Sequence, residues 1–420
     1  MNQPPQAAAN AKPAEFRGWK RTFTALKYPN FRYWFSGQIV SLLGSWMQIT
    51  AQGFLVYQLT GSPAFLGYVG FASGLPSWLF MLYGGVIADR ISRRNLLIIT
   101  QTAMMILAFI LAALTFLKMV QPWQIIILAF LLGTANAFDA PARLALVKEL
   151  VEPGDMTNAI ALNATMFNTA LITGPALAGI VYATVGPAWC FAINGISFLA
   201  VIIALQKMKL ESVRQLPSKG STLTALSESF VYVFSHKTIL ALISMVGMVA
   251  LFGMSFITLL PAWAVQVLGG DVRTNGLLQA ARGLGALIGS LIIASLGRIS
   301  IRGKFITAGS FAMPILMVVF SFITKTPPAL LLMVAIGIAT INIMNLSNSS
   351  VQTSIEDRLR GRVMSIYSLV FFGLFPIGSM LIGQVAVHTS EQLAVRFGAI
   401  VVFAFAVFIW VFVPQIRKLK

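Results

Sequence analysis

Apolar residues dominate twelve stretches of the chain, at roughly 31–57, 64–88, 94–117, 122–140, 156–183, 187–207, 237–266, 273–297, 302–323, 328–348, 361–387 and 393–414. Each has about the 20 residues a helix needs to cross a hydrocarbon core. The first, fifth, seventh and eleventh read long, which predicts tilt or extension beyond the hydrocarbon. The pattern therefore predicts an all-α membrane protein with twelve transmembrane helices. Most connections are short. The exception runs from Lys207 to Lys237, where Leu223, Leu226, Phe230 and Phe234 recur at helical spacing. That spacing fits an amphipathic helix on the membrane surface; a partly ordered linker is the alternative. The implied organisation is a tail at 1–30, six helices at 31–207, a linker at 208–236, six helices at 237–414 and a tail at 415–420.

Lysine and arginine positions set the orientation. With the N-terminus inside, the outer loops hold only Lys118, Arg273, Lys325 and Arg396, Arg282 lies within the eighth span, and the other 25 of the 30 basic residues fall on the inner side. This positive-inside asymmetry predicts that both termini are cytoplasmic. It also accounts for the net charge of +18 without a nucleic-acid partner. Charged residues make up 10% of the chain and hydrophobic residues 57%, where a soluble domain carries roughly 25% charged. The single cysteine, Cys190, excludes a disulfide framework. The first thirty residues hold no apolar run ahead of a small-residue cleavage site, so no cleaved signal peptide is expected.

An internal repeat underlies the twelve spans. A shift of 204 residues superposes Gly85 on Gly289, Gly133 on Gly337, Gly174 on Gly378 and Gly179 on Gly383. Two six-helix halves in parallel repeat form a transporter architecture, with the substrate site between them near the midplane.

The sharpest local motif is GGVIADRISRR, Gly84 to Arg94, after the second span. Gly85 permits close helix approach, and Asp89 sits among Arg90, Arg93 and Arg94 at the membrane edge. This cluster resembles the helix 2–3 signature of the major facilitator superfamily, Gly-x-x-x-Asp-Arg-x-Gly-Arg-Arg, with Ser92 in place of the usual glycine. The resemblance extends over the whole membrane region and implies two six-helix bundles. It further implies a cytoplasmic gate made by Asp89, Arg93 and the acid at the inner end of the fourth span, here Asp139, which stabilises the outward-facing state. The second half keeps Gly289, Gly297, Arg298, Arg302 and Lys304 at the equivalent place but lacks the acid.

In the fifth span, Ala170, Gly174, Pro175 and Gly179 resemble the family's antiporter signature, Gly-x-x-x-Gly-Pro-x-x-Gly-Gly. Ordinary close packing around a proline bend is the competing account. The stretches NFRYWFSGQIVSLLGSWMQ and DAPARLAL are similar to the subgroup of the enterobactin exporter and macrolide efflux proteins. The resemblance implies export of a small amphipathic molecule, a drug-like compound or siderophore, by proton antiport. It implies a monomer among the lipids of a bacterial plasma or inner membrane, with no cofactor and no metal.

Polar residues inside spans mark where a pathway could run. Gln38, Ser41, Ser45, Gln48 and Gln52 alternate at spacings of 3 and 4, one stripe on one face of the first span. Asn342 and Asn345 share a face of the tenth, and Asn163 lies in the fifth. Cavity lining and interhelical hydrogen bonding both remain open for them. Arg282 lies about ten residues into the eighth span, near the midplane. It either binds an anionic or carbonyl-bearing substrate or meets backbone carbonyls.

No Gly-x-x-x-x-Gly-Lys-Ser/Thr loop is present, which argues against ATP drive. No residue stands out as a proton carrier: Asp89 and Asp139 are assigned to the gate, the first span has no acid, and His236 and His388 lie at helix ends. Facilitated diffusion, import of a metabolite or lipid, and coupling through the substrate's own proton stay open beside antiport. A membrane enzyme would need clustered His, Asp or Glu within the spans, and a channel would lack the latch and the repeat.

Overall fold

The computed structural model describes residues 19–90, 92–209, 222–295 and 302–419, with side chains described for all of these except 19–22, 81–90, 222–228, 357 and 418. The chain is all-helical. The helices are α1 Pro29–Thr60, α2 Pro63–Arg90, α3 Arg93–Phe116, α4 Pro122–Val147, α5 Met156–Val185, α6 Pro187–Lys207 and α7 Thr222–Ser235. They continue with α8 Lys237–Val267, then α9 Val272–Ser295, α10 Arg302–Phe320, α11 Thr326–Ser354, α12 Asp357–His388 and α13 Glu391–Phe412. Among the described residues, eleven helices are long and apolar enough to cross a membrane. Beside them runs α2, a helix of 28 residues.

Local chemistry sets the helix ends. Proline opens α1, α2, α4 and α6, where its missing N–H is one that no intrahelical acceptor would have met. Ser92 and Ser390 cap α3 and α13 by accepting from the N–H groups of Asn95 and Leu393. After α1 the chain turns at Gly61, at φ 62°, a left-handed conformation that glycine adopts without strain. The seventh apolar stretch reads as one regular helix in the sequence but is irregular. It is α-helical to Met248, π-helical over Val249–Met254, 3₁₀ over Ser255–Leu259 and π-helical again over Trp263–Val267. Pro261 lacks an N–H for the preceding turn, and the backbone retightens around it.

Polar side chains such as Gln38, Gln48, Gln52, Gln101 and Asn275 are buried, while Phe408, Val411, Phe412 and many other large apolar side chains are exposed. That inversion suits lipid as the surrounding solvent. One apolar core draws only on residues 233–419 and another only on 25–208. Helix α1 packs on α5 and α6, α2 on α4, α3 on α4 and α6; farther along, α9 and α10 pack on α11, and α10 on α13. The main contacts linking these groups are α2 on α12 and α5 on α9.

Glycines 204 residues apart make equivalent contacts. Gly174 abuts Trp46 and Leu43 of α1, and Gly378 abuts Leu251 of α8. Gly179 meets Arg273 of α9, and Gly383 meets Pro63 and Gly67 of α2. Gly133 lies on Ser73 of α2, and Gly337 on the Arg282 carbonyl of α9. Gly85 falls outside the described side chains. Helix α7 covers the linker region 222–235, with Ser229 and Val233 buried and Phe230 and Phe234 exposed; Leu223 and Leu226 lie outside the described side chains.

Candidate functional site

Helix α9 carries the most informative face. Leu277, Leu284 and Leu291 repeat every seven residues and are 48%, 42% and 60% exposed, so this side meets lipid. Gly276 and Gly283 contact α5. Gly285 and Gly289 contact α11. At about 100° per residue, the sector between those two seams holds Asn275, Gln279 and Arg282 and points inward, away from the leucines. Thr50 of α1 donates to the Gln279 carbonyl at 3.4 Å, and the Gln279 amide donates to the Asn275 carbonyl at 3.2 Å. The Asn275 amide nitrogen and the Arg282 Nε are buried without a hydrogen-bond acceptor. Among the described residues no carboxylate pairs with Arg282.

The polar stripe of α1 divides. Gln48 accepts a 2.7 Å hydrogen bond from Asn194 of α6, whose carbonyl accepts from Ser197. For Gln48 this is interhelical bonding. Gln38, Ser41 and Gln52 are also buried, the Gln38 carbonyl without a partner, and Ser45 is half-buried. On α11, Asn342 keeps its carbonyl buried and unpartnered, and the exposed Asn345 donates to Ser290 of α9 at 3.4 Å. Asn163 is half-buried.

The α5 motif lies on two seams. Gly174 fits against α1, while the Pro175 carbonyl and Gly179 meet α9 at Gly276 and Arg273. The α2–α12 seam matches it: Gly67 and Gly70 fit against Ser379, and Gly74 against Pro376. Both seams lie toward one end of the bundle, the end where α2 and α9 begin and α5 and α12 finish. Small residues let the helix backbones approach closely there.

The opposite end carries the charges. Asp139 is 1% exposed; its Oδ1 accepts from Thr100 and Gln101 of α3, each at 2.9 Å, and its Oδ2 lies 3.5 Å from the Arg143 Nε. Arg93 is not on Asp139 here. It pairs with Glu149 just past α4 and donates to the Ala145 carbonyl, while Arg94 donates to the Gln206 carbonyl of α6. The side chains of Asp89 and Arg90 lie outside those described. Ser92 has a negative φ of −57°, a conformation open to any residue, and its hydroxyl caps α3.

At the same end, the Asp155 carboxylate holds the Lys27 ammonium at 2.6 Å and accepts from the Tyr28 hydroxyl at 2.8 Å. The Lys27 hydrogen bond, then that of Tyr28, lowers the Asp155 pKa, and Asp155 in turn raises that of Lys27. A depressed carboxylate contributes above its unfolded value of about 4 and loses that contribution as pH falls through its folded value. A raised amine contributes below about 10.4 and loses it as pH rises through its own folded value. The tie should therefore be constant from pH 5 to 9. Asp155→Ala should speed proteolysis of the segment before α1 several-fold across that range, and an unchanged digestion rate would show the tie to be without effect.

Asn194, Asn275, Gln279 and Glu149 are absent from the residues singled out by sequence. Asn275, Gln279 and Arg282 follow the same spacing of 4 and 3 that marks the α1 stripe, so that test applied to every span finds them. Glu149 lies beyond the apolar run of α4, among loop residues that carry no periodic signal. Comparison with known proteins gives a consistent picture. The profile of a family described as transmembrane secretion effectors matches residues 20–419. A staphyloferrin A transporter of Staphylococcus aureus is 24% identical over 353 residues, covering 83% of this chain and 88% of that protein. The multidrug efflux pump Tap of Mycolicibacterium fortuitum is 24% identical over 82% and 86% of the two chains. Macrolide efflux protein A of Streptococcus pyogenes is 22% identical over 87% and 90%. Among solved structures, the nucleoside transporter NupG shares the fold at a TM-score of 0.71 and 15% identity, over 93% of this chain and all of that one. A D-xylose–proton symporter does so at 0.68 and 14%, over 91% and 98%.

Proposed function

The chain belongs to the transmembrane secretion effector family of the major facilitator superfamily, a multi-pass membrane transporter, and from that premise we propose that it exports a small amphipathic molecule, drug-like or a siderophore, by alternating access. In this proposal α1–α6 and α8–α13 form two bundles of six spans with both termini in the cytoplasm. The observation that carries it is the pair of glycine seams, α2 on α12 and α5 on α9, which run from one end of the bundle to the helix middles at Gly373–Trp78 and Gly283–Leu171. Seams of small residues, with equivalent glycines in each half, can part and reclose without repacking large side chains. With the termini inside, the sealed end is the outer one and the pathway opens to the cytoplasm. Arg93 then rests on Glu149, and the Asp89–Arg93–Asp139 gate assembles when the inner end closes.

Named efflux pumps and a siderophore transporter among the relatives support export of this class of compound. Proton antiport is what the family resemblance implies. Transport without proton coupling is favoured by one specific observation: Asp139, the acid that lies within a described span rather than at its terminal residues, is buried toward the inner end and hydrogen-bonded on Oδ1 by two donors. The polar faces of α1, α5, α9 and α11 supply the substrate's surroundings.

Cells making the protein should accumulate less of at least one compound in a panel of macrolides, siderophores, dyes and lipids. Asp89→Asn should reduce that efflux more than tenfold at an unchanged membrane level. Undiminished efflux by this variant would remove the gate, and equal accumulation of every compound with and without the protein would remove the exporter.

A further inference from the structure

We infer that the exported substrate is an anion that pairs with Arg282, and that the membrane potential, not a proton gradient, drives its export; this rests on the export function above. The inner sector of α9 presents two buried donors without acceptors, the Asn275 amide and the Arg282 Nε, seven residues or about 10 Å apart along the helix. The lipid-facing leucines lie on the other side, so the guanidinium is directed into the protein. Arg282 as a whole is half-buried, with its Nε the part closed off from solvent, and a cation inside a span is costly unless water or a counter-charge reaches it. None of the described side chains supplies one. Asp139 is held by Thr100, Gln101 and Arg143, and Glu149, Glu152, Asp155, Asp271, Glu356 and Glu391 all lie at helix ends or in loops. An anionic substrate supplies the acceptor for the Arg282 Nε, and one with further acceptor atoms also meets the Asn275 amide.

The charge balance of the cycle follows. The loaded site, guanidinium plus a monoanion, crosses as a neutral pair. The empty site carries one positive charge, and an inside-negative potential draws that charge back toward the cytoplasmic side. Each cycle moves one negative charge out. A potential of 100 mV sustains a concentration ratio of about 50-fold for a monovalent ion. No proton has to be carried, which agrees with the absence of a free carboxylate on the described inner faces.

The test has two steps. In detergent, carboxyfluorescein, naphthalenesulfonate and phenyl phosphate are compared with cationic rhodamine 123 as thermal stabilisers of the wild-type chain. At least one anion should stabilise, with affinity at least tenfold weaker in Arg282→Gln and partly restored in Arg282→Lys. That anion is then followed in vesicles with a valinomycin potassium potential or an imposed pH gradient. Transport should rise at least fivefold with the potential and remain unchanged by the pH gradient. Stabilisation by no anion, or equal stabilisation of Arg282→Gln, overturns the anion site, and flux driven only by the pH gradient overturns the energy source. If rhodamine 123 is transported in those cases, export stands and only the anion inference falls; if neither dye nor any anion crosses, export falls with it.

Discussion

Asp139→Leu is expected to destabilise the protein by about 2 kcal/mol. Leucine has the same branching as aspartate but is larger and accepts nothing, so crowding adds to the loss. The Gln101 amide, on a residue 2% exposed, would lose its acceptor, while the Thr100 hydroxyl would be left with the Leu97 carbonyl at 3.1 Å. Each buried donor left unmet costs roughly 1–3 kcal/mol. Arg143 would also lose its carboxylate, 3.5 Å away, at a smaller cost because its side chain is 27% exposed. Asp139→Asn separates structure from function. Its carbonyl still accepts from Thr100 and Gln101, so the loss should be about 1 kcal/mol, while the charge that the gate needs is gone. Unfolding midpoints in detergent and efflux in cells, measured on both variants, check this. Leucine should lower the midpoint well below that of asparagine, and asparagine should still lose transport. Equal midpoints for leucine and wild type would mean that the α3–α4 network contributes no stability.

That network also shows what could be read from the chain alone. The length of the apolar runs depends on the thickness of the bilayer, so the span positions and the short connections are legible in the chain; the segment at 208–236 admits both an amphipathic helix and a partly ordered linker, and Thr222–Ser235 is helical. The glycine pairs are legible as well, because a helix interface that admits only glycine leaves its mark at a fixed offset. The partner of each polar group was not legible. Asp139 and Arg93 stand on neighbouring helices, yet which acid receives Arg93 depends on how far α4 extends, and α4 runs to Val147, well past the end its hydropathy suggests. Arg93 therefore meets Glu149. Likewise the stripe on α1 was visible as a periodicity, but its partner on α6 is one asparagine in an otherwise apolar helix, and no local pattern marks it. The 3₁₀ turn of α8 over Ser255–Leu259 directly precedes Pro261, whose missing N–H disturbs that turn, while the π turn over Val249–Met254 lies farther back and has no local mark in the sequence.

Gly74→Leu combined with Gly276→Leu should force the protein open at its sealed end and lower efflux more than tenfold. At Gly74 the first side-chain carbon would already run into the Pro376 ring, and at Gly276 into the Pro175 carbonyl. Neither neighbour is the free end of a flexible side chain, so the strain must be relieved by separating helices. Overpacking of this kind costs about 1–3 kcal/mol per site. It falls only on the state in which α2 meets α12 and α5 meets α9, since parted seams have room for leucine. Two sites at about 2 kcal/mol each shift the balance between the states by roughly 10²–10³. Thr50 lies beside Gln279 behind these seams and is 1% exposed. In a Thr50→Cys background, a membrane-impermeant maleimide added from outside should therefore label the double-leucine protein at least tenfold faster than its parent. Slow labelling together with normal efflux would mean that the seams tolerate bulk, and the closed end would then have to be held by something other than glycine contact.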